Sequence, residues 1–325
     1  MAGVRDVAKL AGVSISTVSR YLNGQSLKED TTKRIAAAVQ ELDYKENLIA
    51  KGLKNNRSFS VGLLMNSISS RFGSEVVSGI EKVVEKNGYS LLLSGFSNEP
   101  SLIDRKIDYL MKHSVDGLII FLAGEEWAGT EKLAKAKIPM VLLNHPNTCD
   151  NADTILINDR HSVHQVITHY IRSGHEKIGI IAAPQSDYAA RERLLGAQAA
   201  IAQEGVGDLS IYIGDYSRKS GFEGAQKLLK QGITALFVCN YNMSIGALEC
   251  FNQNRVRVHQ DIAFGHYDYS DEGEAAPITQ ITITPPANQI GEKAAELLLK
   301  RISASDKIPE QVYTLESEIS GLNDK

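Results

Sequence analysis

The stretch "AGVSISTVSRYLN", residues 11–23, is too short and too polar for a core segment, yet its hydroxyl residues fall at helix-cap spacings around an Ala-Gly turn. Gly12 supplies permissive backbone for that turn. Ser14 is a good N-cap for a helix over "ISTVSRYLN", on which Val18, Tyr21 and Leu22 face inward while Ile15, Ser16, Ser19 and Arg20 point away. Upstream, "VRDVAKL" (4–10) puts Val4, Val7, Ala8 and Leu10 or Ala11 on one side of a short helix that starts at Gly3, with Asp6 in its first turn. Downstream, "DTTKRIAAAVQELD" (30–43) places Ile35, Ala38, Val39 and Leu42 at helical spacing. Helix, turn, helix and a third helix to close the core make a small independent head.

The charge of this head differs from that of the rest. The whole chain of 325 residues carries a net −4, but residues 1–57 hold ten Lys or Arg against six acids, a net +4, which leaves −8 on the remainder. A basic head on an acidic body suits a polyanion at one end and a separate task at the other; a solvated helical surface is the plain alternative. The length predicts two or three folding units. No apolar run approaches the roughly 18 residues of a membrane span, and "MAGVRDVAKL" has no apolar stretch behind a basic start, so secretion and a membrane partner are not expected. Cys149, Cys239 and Cys250 are scattered and odd in number, which fits a reducing cytoplasm.

Residues 44–57, "YKENLIAKGLKNNR", are polar, with Leu48, Ile49 and Leu53 as the apolar anchors, and cannot hold a fold alone. From Phe59 short apolar strands alternate with amphipathic helices: "SVGLLMN", "YSLLLSG", "VDGLIIFL", "IPMVLLN", "KIGIIAA", "LSIYIGD", "ALFVCN" and "IAFGHY" read as strands. That alternation predicts parallel sheets covered on both faces, and the length favours two doubly wound subdomains over one wide sheet. Ligands in such folds sit beyond the carboxyl ends of the strands, here in the cleft between subdomains.

"DVAKLAGVSISTVSRYLN" (6–23) strongly resembles the N-terminal signature of the LacI/GalR family of bacterial transcription regulators, and the resemblance runs over essentially the whole chain. It implies a helix-turn-helix head over 1–46, a hinge over 47–57, and a periplasmic-binding-protein-like core over 58–325. Within the core it implies an N-subdomain of about 58–157 plus 286–312 and a C-subdomain of about 158–285 plus 313–325. Ile15, Ser16 and Arg20 fall where family members read base edges, Arg20 being suited to guanine and Ile15 to a thymine methyl. Ser14, Thr17, Ser19 and Asn23 fall at phosphate-contacting positions. In the hinge, Asn47, Ala50 and Leu53 match minor-groove positions, with Leu53 as the wedge that unstacks a base step. Two departures are Gly3 in place of a Thr cap and Glu46 in place of a proline before the hinge.

In the core, "VDGLII", "RSGHEKIGII", "R-L-L-G" and "G-D-Y" look like family landmarks. By that match Arg193 clamps effector oxygens, Arg191 assists, Tyr216 forms a wall for a sugar ring or base, Asn240 hydrogen-bonds at a strand end, and Phe72 closes the other wall. Each also has a plain structural reading: a surface ion pair, a core aromatic, a turn residue. The acid that the family supplies after "G-Y" or "G-F" is out of step, because "F-G-H-Y-D" puts Asp268 one residue late and Tyr267 at the expected place unless the loop bulges.

No phosphate loop, nucleophile elbow or paired-His metal motif is present, so neither an enzyme nor a cofactor or metal is expected, and "HSVH" (161–164) reads as helix surface. The expectation is a cytoplasmic, nucleoid-associated homodimer that binds palindromic double-stranded operator DNA, acts as a repressor and is controlled by a small carbohydrate-like effector. A sugar-binding protein without a DNA role is the alternative; it needs export and has no use for the basic head.

Overall fold

The computed structural model describes residues 2–22, 24–45, 57–66, 70–97, 99–121, 133, 138–146, 151–205, 207–267, 281–306 and 308–322. Asn23, the hinge residues Asn47, Ala50 and Leu53, and Asp268 lie outside the described residues. The chain divides into two units, Met1–Phe59 and Ser60–Lys325.

The first unit holds α1 (Val4–Ala11), α2 (Ile15–Leu22) and α3 (Glu29–Glu41). The Gly3 N–H donates to Asp6 Oδ2 at 2.8 Å, so the acid in the first turn supplies the cap that Gly3 lacks. Gly12 ends α1 in the left-handed region at φ +62°, where a glycine is unstrained. Val7, Ala8, Ala11, Val18, Ile35 and Ala38 are buried together, with Tyr21, Leu22, Val39 and Leu42 half-buried around them. The apolar spacing read from the sequence is therefore the packing of this small core.

The second unit contains two sheets. The first has strand order β11-β5-β4-β3-β1-β2 and is wholly parallel. Its strands are β1 (Ser60–Met65), β2 (Ser90–Gly95), β3 (Gly117–Phe121), β4 (Met140–Leu143), β5 (Ala152–Ile157) and β11 (Val312–Leu315). The second sheet has order β12-β10-β9-β8-β6-β7. It comprises β6 (Lys177–Ala182), β7 (Asp208–Ile213), β8 (Ala235–Val238), β9 (Ala263–Tyr267), β10 (Ile281–Thr284) and β12 (Glu318–Ser320), with only the β10–β12 pair antiparallel. In chain order the helices of this unit are α4 (Arg71–Lys86), α5 (Ile103–Lys112), α6 (Asp159–Arg172), α7 (Tyr188–Glu204), α8 (Arg218–Leu229), α9 (Tyr241–Gln253) and α10 (Ala287–Ser303). Near-continuous apolar burial along β1, β3, β4, β6 and β8 follows from helices covering both faces.

Three helix pairs approach to backbone contact through glycine. An added Cβ on Gly79 would overlap the carbonyl of Asn288 and one on Gly291 that of Val76, which locks α4 to α10. Gly221 and Gly246 do the same for α8 and α9 against Met243 and Arg218, and Gly196 sets α7 against the Arg160 carbonyl of α6.

The chain passes between the sheets after β5, after β10 and between β11 and β12. The sequence places the last passage at 312–313; because β11 pairs with β5 over Val312–Leu315, that strand completes the first sheet and the passage falls at Glu316 and Ser317. Asn158 joins the first passage to the last: its N–H donates to Leu315 O (3.1 Å) and its Oδ1 accepts from Ser317 N (2.9 Å). The run between α10 and β11 is held by a buried bidentate pair, Arg301 Nε to Asp153 Oδ2 (2.7 Å) and Nη2 to Oδ1 (2.5 Å), and Arg301 also donates to the carbonyls of Ile308 and Pro309.

Candidate DNA-reading helix and effector site

The start of α2 is a cluster of hydroxyls. Ser14 Oγ accepts from Thr17 N at 3.2 Å and lies 2.8 Å from both Ser16 Oγ and Thr17 Oγ1. The first turn carries no acid, so the positive end of the helix, with its unpaired N–H groups, stays available to an anion. Ser14, Ser16 and Arg20 are exposed and Thr17 and Ser19 half-buried, while Val18 is fully buried. Ile15, a large apolar side chain, remains 47% exposed although apolar partners lie one turn away in the head core. Val18 thus packs the apolar side of α2 while Ile15 stays outside it.

The second site forms where the strand order of the second sheet reverses, between β6 and β8, the place at which doubly wound folds collect ligands. After β6 the chain enters α7, capped by Asp187, whose Oδ1 accepts from Ala189 N (2.9 Å) and Ala190 N (3.3 Å). One and a half turns on, Arg193 donates through Nε to Asp159 Oδ1 (2.8 Å) and through Nη1 to the carbonyl of Cys239 (2.7 Å). Tyr267, the last residue of β9, donates its hydroxyl to the same Asp159 Oδ1 at 2.7 Å, and its ring lies under the guanidinium, 3.7 Å from centroid to Cζ. Asp159 is 2% exposed and Arg193 14%, so this is a buried ion pair. Burial opposes the Arg193 charge, but Asp159 beside it holds the guanidinium pKa well above its ordinary value. Burial likewise pushes the neighbouring Cys239 thiol up to about 12, which leaves it protonated and inert. Among the described residues Arg193 Nη2 has no partner.

Tyr216 lies between β7 and α8 with φ +70°, a left-handed conformation that costs an aromatic residue about 1–3 kcal/mol. Its hydroxyl donates to Asp187 Oδ2 at 2.6 Å. Burial raises the Asp187 pKa above its ordinary value, against the opposing pull of the Tyr216 hydroxyl, Arg193 and the two backbone N–H groups. Asn240 follows β8 and caps α9, with Oδ1 accepting from Met243 N at 3.3 Å, so its amide NH2 stays free for other acceptors.

Of the residues read from the sequence, Arg193 joins Tyr267, Tyr216 neighbours Arg193 through Asp187, and Asn240 follows the Cys239 carbonyl that Arg193 holds. Arg191 departs from them: two residues along a helix is about 200° of rotation, and its guanidinium lies 5.7 Å from the Tyr188 ring. Phe72 belongs to the edge of the first sheet, where its ring meets Phe121 edge-on at 5.5 Å. Sequence reasoning missed Asp159 and Asp187. Both stand at helix starts, where a carboxylate reads as a cap, and only the fold shows that Asp159 is the counter-ion of an arginine 34 residues away. Tyr267 closes β9 with its hydroxyl on Asp159.

One buried Ser–His contact, Ser244 Oγ to His266 Nδ1 at 3.1 Å, does not make a nucleophile. The Ser244 hydroxyl donates to Tyr241 O (2.7 Å), so the histidine is the donor between them, and Ser244 is fully buried. Among the described residues no group of His, Cys, Asp and Glu is placed to hold a metal, and no helix is long and apolar enough to cross a membrane.

Residues 4–47 match the family described as bacterial regulatory proteins, lacI family, and residues 58–316 match periplasmic binding proteins and sugar binding domain of LacI family. The chain is 33% identical over 323 residues to the HTH-type transcriptional repressor PurR of Actinobacillus pleuropneumoniae serotype 3 (strain JL03), covering 97% of this chain and 95% of that protein. It is 31% identical over 309 residues to the ribose operon repressor of Escherichia coli (strain K12), covering 93% and 94%. Its fold is similar to that of the lac repressor dimer bound to operator and the anti-inducer ONPF, with a TM-score of 0.83 and 26% identity over 98% of this chain and 97% of that one. With α2 in the first unit and the arginine site in the second, this chain belongs to the LacI family of bacterial regulatory proteins, as a DNA-binding transcriptional repressor with a ligand-binding core rather than an enzyme.

Proposed function

We propose that this repressor works as a homodimer in the cytoplasm, binds a palindromic operator through two copies of α2, and is controlled by a small polar effector of carbohydrate type held at the β6–β8 edge of its second sheet. The observation that carries the DNA half is the division of α2 between a buried Val18 and an outward row of Ile15, Ser16 and Arg20. In this reading Arg20 takes a guanine edge, Ile15 a thymine methyl and Ser16 a base edge, while Ser14, Thr17, Ser19 and Asn23 hold phosphates. Asn47, Ala50 and Leu53 enter the minor groove, with Leu53 as the wedge. One helix of eight residues reads too few bases, and two-fold related heads on a palindrome multiply the binding energy.

The effector half rests on the free donors of Arg193, the free amide of Asn240 and the Tyr216 hydroxyl, whose proton is committed to Asp187 and whose lone pair is therefore an acceptor. Donors and an acceptor around an aromatic wall suit the alternating hydroxyls of a sugar. Asp268 and Phe72 complete the set of proposed contacts; Arg191, whose guanidinium lies by the Tyr188 ring, is left out of it. Occupation of the site then alters operator affinity, with a coupling of about 1–3 kcal/mol. Selection of duplexes from a random library by the full chain, followed by titration with and without sugars, tests this directly. Enrichment of palindromes bound by two protomers, with affinity shifted by a sugar, is expected; sugar binding without any duplex selection at moderate salt overturns it in favour of a sugar-binding protein.

A further inference from the structure

Two helix starts along the carboxyl edge of the second sheet carry acids, and they indicate what this site turns away. The positive end of a helix ordinarily welcomes an anionic ligand. Here α6 carries Asp159 as its first residue, α7 is capped by Asp187 itself, and α8 is preceded by Asp215, whose carboxylate accepts from Ser217 N at 2.9 Å. The N–H groups of Ala189 and Ala190, which a phosphate would use, are spent on Asp187. Among the described residues the cation that faces inward is Arg193, and Asp159 already neutralises it at 2.8 Å. Arg160 and Arg218 on neighbouring helices are paired with Glu192 and Glu249, and Arg191 leaves α7 on the side of Tyr188.

We propose that the effector site selects polyhydroxylated ligands without negative charge, and that Asp187, held against Tyr216 and the start of α7, is the residue that rejects phosphorylated or carboxylated forms of the same compounds. The idea rests on the placing of the effector at this edge and adds a rule about its charge. Arg193 alone fits hydroxyls or a carboxylate equally; Asp187 removes the second choice. In a water-poor site a second anion beside Asp187 meets repulsion that no free cation offsets, whereas a hydroxyl donates to the remaining lone pair of Oδ2 or of the Tyr216 oxygen. The hydrogen-bond capacity of Asp187 is otherwise taken, so its effect on a neutral ligand is small and its effect on an anion large.

The test uses the full chain and a panel of neutral pentoses and hexoses, each paired with its own phosphate ester, read by thermal shift and then calorimetry. A neutral sugar that binds at least tenfold more tightly than its phosphate is expected. In Asp187→Asn, which keeps an N-cap acceptor and an acceptor for Tyr216, that ratio falls at least fivefold; Asp187→Ser, which also caps, serves if the Asn variant does not fold. A phosphate bound as tightly as its parent sugar, or a ratio untouched by both substitutions, overturns the charge rule and leaves the carbohydrate reading standing. Silence from every member of the panel overturns the carbohydrate reading and the rule with it.

Discussion

The starts of α2 and α7 are the same piece of backbone put to opposite uses. Each presents the first N–H groups of a helix and the positive end of its dipole. At α2 these are dressed with three hydroxyls, Ser14, Ser16 and Thr17, and no acid in the first turn. At α7 they are closed by the Asp187 carboxylate. A hydroxyl cap satisfies the helix while leaving its charge free to act outward; a carboxylate cap satisfies it and cancels that charge. The difference teaches that a cap sets the sign of the neighbour a helix will accept, and does so with a single side chain.

The two arginines that serve these starts sharpen the contrast most. Arg193→Ala leaves Asp159, 2% exposed, with Tyr267 as its one remaining side-chain partner; a loss of about 3–5 kcal/mol of core stability is expected, measured by denaturant unfolding. Arg20→Ala removes an exposed side chain, so the melting of the head should not change, while operator affinity falls by about 1–3 kcal/mol in a fluorescence anisotropy titration. A head that melts early in that variant would show Arg20 to be structural.

A smaller effect breaks the comparison on purpose. Ser14→Asp gives α2 the kind of cap α7 has: the head should stay as stable by circular dichroism, because Asp caps as well as Ser, and operator affinity should fall roughly tenfold, about 1.4 kcal/mol, by repulsion from phosphate. Unchanged affinity would mean that the α2 start faces no phosphate.

The smallest effect concerns pH. Burial raises the Asp187 pKa above its ordinary 3.8. Its contribution to stability is therefore fully present below 3.8 and is lost as pH rises through the folded-state value. Asp187→Asn should be slightly more stable than the parent at neutral pH, by a few tenths of a kcal/mol, and the advantage should vanish as pH falls toward 3.8, followed by denaturant midpoints across that range. The reverse trend would place Asp187 in a net-favourable ion pair.

How far the sequence could be read depended on whether the deciding contacts are local. The head was legible almost residue by residue, since Val7, Val18, Ile35 and Ala38 meet within short helices whose spacing announces their faces. Alternation of strands and helices gave two parallel sheets, though β5, β10, β11 and β12 escaped separate notice because they are short or carry polar residues such as Asp153 and the threonines of "ITIT". At the effector site Arg193, Tyr216 and Asn240 could be named by resemblance, whereas Asp159 and Asp187 could not be told from caps. The Arg193–Asp159 pair spans α6, β6 and the first turns of α7, and Tyr267 reaches Asp159 across 108 residues. Periodicity carries no information at that range; only the closed sheet does.

Asn158 gives the core a mechanical character. By tying Leu315 and Ser317 to its own backbone and side chain, it fuses two of the three passages between the sheets into a single ribbon, and the third runs through Pro285 and Pro286, whose rings stiffen it. The helix pairs on either side are clamped at backbone contact by glycine and have no slack to take up strain. Joined in this way, the three passages are built more like a plate hinge than like three independent strings.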